Sequence, residues 1–293
     1  MFPFTRSALP LLALLALLAP PSRTLAAGLS VATPPALEGL AARLSSHWEE
    51  TRGARLELRL LGTSAADGVD LVIATDKDRL DRAMPPTAAA SVIEFATDSM
   101  VLAYAPPSPF AAATEKGSPW FVAVGEHPLD FGRGDPDTSP LGVRALLVLQ
   151  LAGIHYDEPQ LALRILRPGQ AMPTSVLLRR LEQNNLGVGL LYRALAHQAG
   201  LRFLELPREI DLGDSTYAAQ YRRASADVDG RISIATPIVL LAAARDESPR
   251  RPEAVELLAF LQSSRGKALL EDAGYAVPSG FPRARARGDS PLP

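Results

Sequence analysis

Hydrophobic positions along this chain follow two periods in turn. Leu37, Leu40, Ala41, Leu44 and Trp48 fall at i, i+3, i+4, i+7 and i+11, the stripe of an amphipathic helix, and predict one over 36–52. Residues 55–61 then alternate Leu56, Leu58 and Leu60 with charged side chains, which predicts a half-buried strand. An apolar strand over 69–74 ends at Thr75-Asp76, and a short polar helix over 77–83 stops at Pro85-Pro86. Two further strands, 91–95 and 100–104, flank Ala96-Thr97-Asp98-Ser99. Strands alternating with helices predict an α/β sheet, in which ligands lie beyond the carboxyl ends of the strands. Thr63, Ser64, Asp76 and Asp98 stand at such ends.

Pro106-Pro107-Ser108-Pro109 breaks this pattern and marks an expected crossing into a second lobe. A strand is predicted there over 120–124. Residues 141–151 are apolar almost all round, so the helix they form should be buried. It opens on Ser139, whose oxygen can accept from an orphan amide, and on Pro140, which suits the first helical position; Gly153 is the expected stop. Thr33-Pro34-Pro35 gives the first helix a start of the same construction. A helix start of this kind presents unpaired amides at a positive dipole end, a setting suited to an anion. Helices follow over 176–186 and 187–200, then strands over 201–206 and 223–228. An extended run over 231–242 should carry the chain back, and helices over 252–261 and 264–273 close the molecule. The expected organisation is a signal peptide over 1–27, lobe 1 over 28–104 and 232–282, lobe 2 over 105–231, and a disordered basic tail over 283–293.

Composition narrows the class. Of 293 residues 47% are hydrophobic, enough for two medium domains with real cores. Arg6, the apolar run over 9–19 and the small residues before Gly28 have the form of a cleavable signal peptide, the alternative being a retained signal anchor. The leader implies export to the periplasm, and with no cysteine the chain is expected there without a lipid anchor and without disulfides. Losing Arg6 and Arg23 takes two from 30 basic residues against 32 acidic ones, leaving a formal charge of −4. That excludes a nucleic-acid binder, and any bound anion must be held by local donors.

Catalytic signatures are missing. No G-x-S-x-G elbow, H-E-x-x-H pair or phosphate-cradling P-loop occurs, and His47, His127, His155 and His197 are scattered. Asp135 and Asp137 fit turn residues better than a working carboxylate pair. No cofactor and no metal site is expected.

Several stretches resemble one family in order. Residues 132–144, Gly-Arg-Gly-Asp-Pro-Asp-Thr-Ser-Pro-Leu-Gly-Val-Arg, are similar to G-x-S-D-P-N-x-D-P-C-G-Y-R of the extracellular solute-binding proteins of tungstate and molybdate ABC importers, tungstate-type branch. Residues 95–104 are similar to that branch's F-A-x-N-x-M-V-L-A-Y, residues 190–196 and 200–214 to F-E-Y-x-S-x-A and G-L-x-Y-x-x-L-P-x-E-I-N-L-x-D, and residues 260–266 with Gly274-Tyr275 to its closing motif.

The resemblance implies the type II periplasmic binding protein fold, two α/β lobes joined by two crossing strands, with an oxyanion trapped between them. It implies no enzyme, a monomer, and delivery to an ABC permease. The positions matching the branch's two coordinating carboxylates are Ser139 and Leu191, so the implied ligand is a tetrahedral oxyanion held by hydrogen bonds. Its donors would be the hydroxyls of Thr33, Thr63, Ser64 and Ser139, the amides of Leu141 and Gly142, and Tyr192 from the second lobe. Asp98 stands where the branch has asparagine. A same-fold receptor or sensor for a sulfate-like or small organic anion is the alternative, and a periplasmic hydrolase the more distant one.

Overall fold

A computed structural model describes residues 28–61 and 68–287. The expected signal peptide, Thr63, Ser64 and the last six residues lie outside these. In chain order come β1 (Ser30–Thr33), α1 (Glu38–Arg52), β2 (Glu57–Leu60), β3 (Leu71–Ala74), α2 (Lys77–Ala83) and β4 (Ser91–Asp98). Next are β5 (Met100–Tyr104), α3 (Pro109–Glu115), α4 (Trp120–Glu126), β6 (Phe131–Gly134), α5 (Pro140–His155), α6 (Leu161–Ile165), β7 (Ala171–Met172), α7 (Thr174–Glu182), β8 (Val188–Tyr192), α8 (Arg193–Gln198) and β9 (Arg202–Glu205). Last come α9 (Ala218–Tyr221), β10 (Ser225–Val228), β11 (Arg231–Ile234), β12 (Ile238–Ala244), α10 (Arg251–Leu261), α11 (Ser264–Asp272) and β13 (Arg283–Ala286).

These strands make two sheets. The first has the order β13-β4-β12-β3-β1-β2 and the second β7-β6-β8-β5-β9, while β10 and β11 pair only with each other. In the first sheet β1 runs parallel to β2 and β3, and β12 lies antiparallel between β3 and β4. Successive residues of β3 divide between two cores: Leu71 and Ile73 pack with α1, α10 and α11, whereas Val72 and Ala74 pack on the face of α2. Burial on both faces explains why these strands are apolar without interruption. The second lobe has its own core around α5, whose Leu141, Ala145, Val148, Leu149 and Ala152 are all fully buried.

Two crossings link the lobes. Between β4 and β5 stands only Ser99, so the crossing precedes the expected break at Pro106 and places Met100–Tyr104 in the second sheet. Ser108, within that proline-rich stretch, caps α3 instead, accepting from the Ala111 amide at 3.1 Å. The return does not run unbroken over 231–242. Ile234 ends the hairpin, and Thr236-Pro237 separates it from β12 because proline cannot donate to a ladder.

Other expectations change for physical reasons. Residues 120–124 are helical, with Trp120, Ala123 and Val124 turned to one buried side. The predicted helix over 187–200 is β8 followed by α8: five buried residues, Val188–Tyr192, form a strand with neighbours on both sides. α5 passes Gly153 to His155, and that glycine instead admits the Glu158 carbonyl, 3.0 Å from where a Cβ would sit. β2 is an edge strand and exposed at all four positions, so its leucines do not alternate between core and solvent.

Arg283–Ala286 is not a disordered tail but β13, paired antiparallel with β4. Its register sets Arg283 and Arg285 on Glu94, which is 0% exposed; Arg285 Nε lies 2.9 Å from Oε1. Removing one side of a buried ion pair leaves a desolvated charge behind. Ending the chain at Pro282 should therefore destabilise the protein by about 2–4 kcal/mol in urea unfolding, and E94Q should recover part of that loss. Equal stability of full-length and shortened chains would contradict this account of the clamp.

Candidate functional site

One cleft of about 640 Å³ opens between the lobes. The first lobe supplies Leu61 and one face of α2; the second supplies the turn before α5, its first two turns, and the β10–β11 hairpin. Arg79, Arg82, Arg144 and Arg231 line it against Asp76, Asp78 and Asp137, with the hydroxyls of Thr138, Ser139, Ser233 and Thr236. Guanidinium outnumbers carboxylate. Among the described residues no three His, Cys, Asp or Glu side chains come together in a way that could hold a metal ion.

The wall at α5 follows from local sequence. Ser139 is extended and its Oγ accepts from the Leu141 amide at 3.2 Å, while its carbonyl accepts from Gly142 at 3.0 Å. Asp135 holds the preceding turn, accepting from the Asp137 amide and the Thr138 hydroxyl, each at 3.2 Å. It is a turn residue. Gly142 lies against that turn so closely that a Cβ would stand 2.3 Å from the Asp135 carbonyl carbon and 2.4 Å from Pro136 N. The helix start and the loop that walls the cleft are therefore one packed unit.

Deeper in, Arg144 joins the lobes. It projects from α5 and is only 6% exposed. Its Nη1 donates to the Tyr192 hydroxyl at 2.6 Å and to Thr75 Oγ1 at 3.1 Å, and Nη2 donates to the Thr75 carbonyl at 2.7 Å. Asp76 Oδ2 is 3.6 Å away, and Asp76 also caps α2, whose Arg79 amide donates to its Oδ1 at 2.7 Å. Burial disfavours the Arg144 charge, but Tyr192 and the carboxylates of Asp76 and Asp98 outweigh it and hold its pKa above the ordinary value. For Tyr192 burial wins, and the phenol is raised despite Arg144.

Asp98, at the end of β4, accepts from the Ser99 amide at 2.8 Å and the Ala194 amide at 3.2 Å. Burial pushes its pKa up to about 7 against those bonds and against Arg144 and Arg193. Thus a carboxyl sits on the crossing itself, next to the first turn of α8.

The structure brings Ser139 into the cleft, whereas Tyr192 is buried, does not line it, and touches it only through its hydrogen bond with Arg144. The amides of Leu141 and Gly142 are turned onto Ser139. Thr33 does not cap a helix. It ends β1, the next helical donor, Leu37 N, bonds to the Pro34 carbonyl, and the buried Thr33 Oγ1 has no partner among the described residues. Its carbonyl accepts from the amide of Leu61, which lines the cleft, but Thr33 itself does not line it. Leu191 is fully buried in the second core and does not line this cleft.

The model of the family described as bacterial extracellular solute-binding protein matches residues 29–276, covering both lobes and the cleft. The chain belongs to this family. Family membership makes it a binding protein and not an enzyme. Its relatives include the molybdate/tungstate-binding protein WtpA of Pyrococcus abyssi, 25% identical over 236 residues, 72% of this chain and 69% of that one. WtpA of Thermococcus kodakarensis is 25% identical over 252 residues, 75% of this chain and 69% of that one. The periplasmic molybdate-binding protein of Azotobacter vinelandii superposes with a TM-score of 0.57 at 14% identity, covering 86% of this chain and 100% of that one, and establishes the two-lobed fold. No helix among the described residues is long and apolar enough to cross a membrane.

The residues missed from sequence are Arg144, Thr75 and Arg79. Arg144 did leave a signal, as the one charge inside the apolar run 141–151.

Proposed function

We propose that this family member is the periplasmic receptor of an ABC importer and captures a tetrahedral oxyanion, molybdate or tungstate first, between its lobes. The observation that carries this reading is the lining of the cleft: four arginines against three aspartates, with hydroxyls beside them. The ligands named for the two WtpA relatives support it. Ser139, with Thr63 and Ser64, supplies the hydroxyl donors of this reading, Tyr192 acts from the second lobe through Arg144, and the Leu141 and Gly142 amides contribute the positive end of α5. Closure follows because only the shut form lets both lobes bond one ion. The partner is a membrane permease, and the receptor acts as a monomer.

Thermal unfolding with molybdate, tungstate, sulfate and phosphate tests this directly. A ligand at about 100 times its dissociation constant adds about 2.7 kcal/mol, and the absence of a shift with every oxyanion would reject the ligand class. Loss of the cap in S139A should lower ligand-free stability by about 1 kcal/mol and oxyanion affinity by about tenfold. Unchanged affinity in S139A, by titration calorimetry, would remove Ser139 from the donor set.

A second reading rests on the apolar share of the same cleft, where Leu61, Val143, Leu147, Ile232 and Ile234 face the guanidiniums. An organic anion such as phenyl phosphate would use that wall. Its stabilising effect exceeding that of every inorganic oxyanion would favour this reading.

A further inference from the structure

Arginines are not equivalent in this cleft. Arg82 and Arg231 are exposed and Arg79 is half-buried, whereas Arg144 alone is buried and bonded to both lobes. Its direct acceptors are neutral: a phenol, a hydroxyl and a carbonyl. The nearest carboxylate, Asp76, is 3.6 Å away and is a quarter exposed. Asp76 offsets part of the Arg144 charge, but no carboxylate hydrogen-bonds the guanidinium fork, and the group lines the cavity rather than a sealed core, so the remainder of its field acts on an anion there. Charged partners in such a setting interact in proportion to the product of their charges, so a dianion gains twice what a monoanion gains.

We infer that Arg144 is the specificity-determining residue of the cleft, the group by which it separates dianionic from monoanionic tetrahedral oxyanions. The inference rests on the oxyanion reading above and adds a selectivity to it. Thr75 and Tyr192 act as positioning residues, holding the fork in place when no ligand is present. Hydroxyls and amides alone would grip anions of one shape with less regard for charge.

The test is titration calorimetry with tungstate and with perrhenate, a tetrahedral monoanion of similar size, on the full chain and on R144K, R144Q and R144M. Wild type should prefer tungstate by about 100-fold, and R144Q should reduce that preference to about tenfold or less. R144K should keep the preference while losing part of the affinity for both ions, since it retains charge but not the planar fork. Ligand-free melting of each variant confirms folding, and R144M, which keeps the apolar stem, supplies the neutral side chain if R144Q does not fold. Equal weakening of both anions in the neutral variants would reduce Arg144 to a tie between lobes and overturn the inference alone. A wild type that binds neither anion overturns it together with the oxyanion reading.

Discussion

Replacing Gly142 by alanine should destabilise the protein, although alanine is the better helix former. Gly142 is the third residue of α5, and propensity alone would credit the substitution with up to about 1 kcal/mol. Packing opposes it. The new Cβ would stand 2.3 Å from Asp135 C, 2.4 Å from Pro136 N and 2.5 Å from Asp135 O, all backbone atoms of a turn already tied by its own hydrogen bonds. None of these can swing aside as a side-chain end would, so the helix and the turn must part. Overpacking of this kind costs about 1–3 kcal/mol and more where backbone resists, so the net loss should be about 2–3 kcal/mol. That corresponds to a fall of about 5–10 °C in melting temperature for a chain of this length.

The same clash should reach function, because Pro136, Asp137 and Thr138 form the cleft wall that would be displaced. Anion affinity should fall in G142A even where the folded fraction is complete. Gly125 supplies the contrasting case. It lies in α4 with nothing within 4 Å of its ideal Cβ, so G125A should stabilise by about 0.5–1 kcal/mol through propensity alone. If both variants moved the melting temperature the same way, local packing would not be what distinguishes these glycines.

The contrast explains what was legible in the sequence. Periodicity over 37–48 and the cap at Ser139 are local signals, and α1 and the start of α5 stand where those signals put them. The elements that differ are those whose state is decided by neighbours. Val188–Tyr192 is an apolar run that could be helix or strand, and it is a strand because β5 and β6 flank it. Arg283–Ala286 has the composition of a tail, and its two arginines are ordered by one buried glutamate far back in the chain. At the cleft, Ser139 could be read from its cap chemistry. Arg144 needed the folded chain, since its acceptors at Thr75, in the other lobe, and Tyr192 are 69 and 48 residues away along the chain. A charge inside an apolar helix was the visible half of that arrangement, and its partner set was not.

The asparagine variant D98N should become more stable than wild type as pH rises. Asp98 is 5% exposed, and burial raises its pKa from the ordinary carboxylate value of 3.8 to about 7. The folded state therefore favours the protonated carboxyl, and charging it costs more in the fold than in the unfolded chain. The penalty is absent below about pH 4, grows between pH 4 and 7, and is complete above pH 7. A difference of about three pKa units corresponds to about 4 kcal/mol. Arg144 and Arg193 reduce the penalty and Tyr192 and Tyr275 face the same carboxyl, yet the direction is set by burial. Asparagine keeps an oxygen for the Ser99 and Ala194 amides and carries no charge, so it removes the pH dependence without removing the acceptor. Asp211, raised by burial to about 6, also loses stability over part of this window, whereas Asp70 and Asp81 are held low and act only in acid. Subtracting wild type from D98N at each pH cancels those contributions. The difference in unfolding free energy should be small at pH 4 and approach its full value by pH 8, and a constant difference across that range would mean that Asp98 does not titrate at the crossing between the lobes.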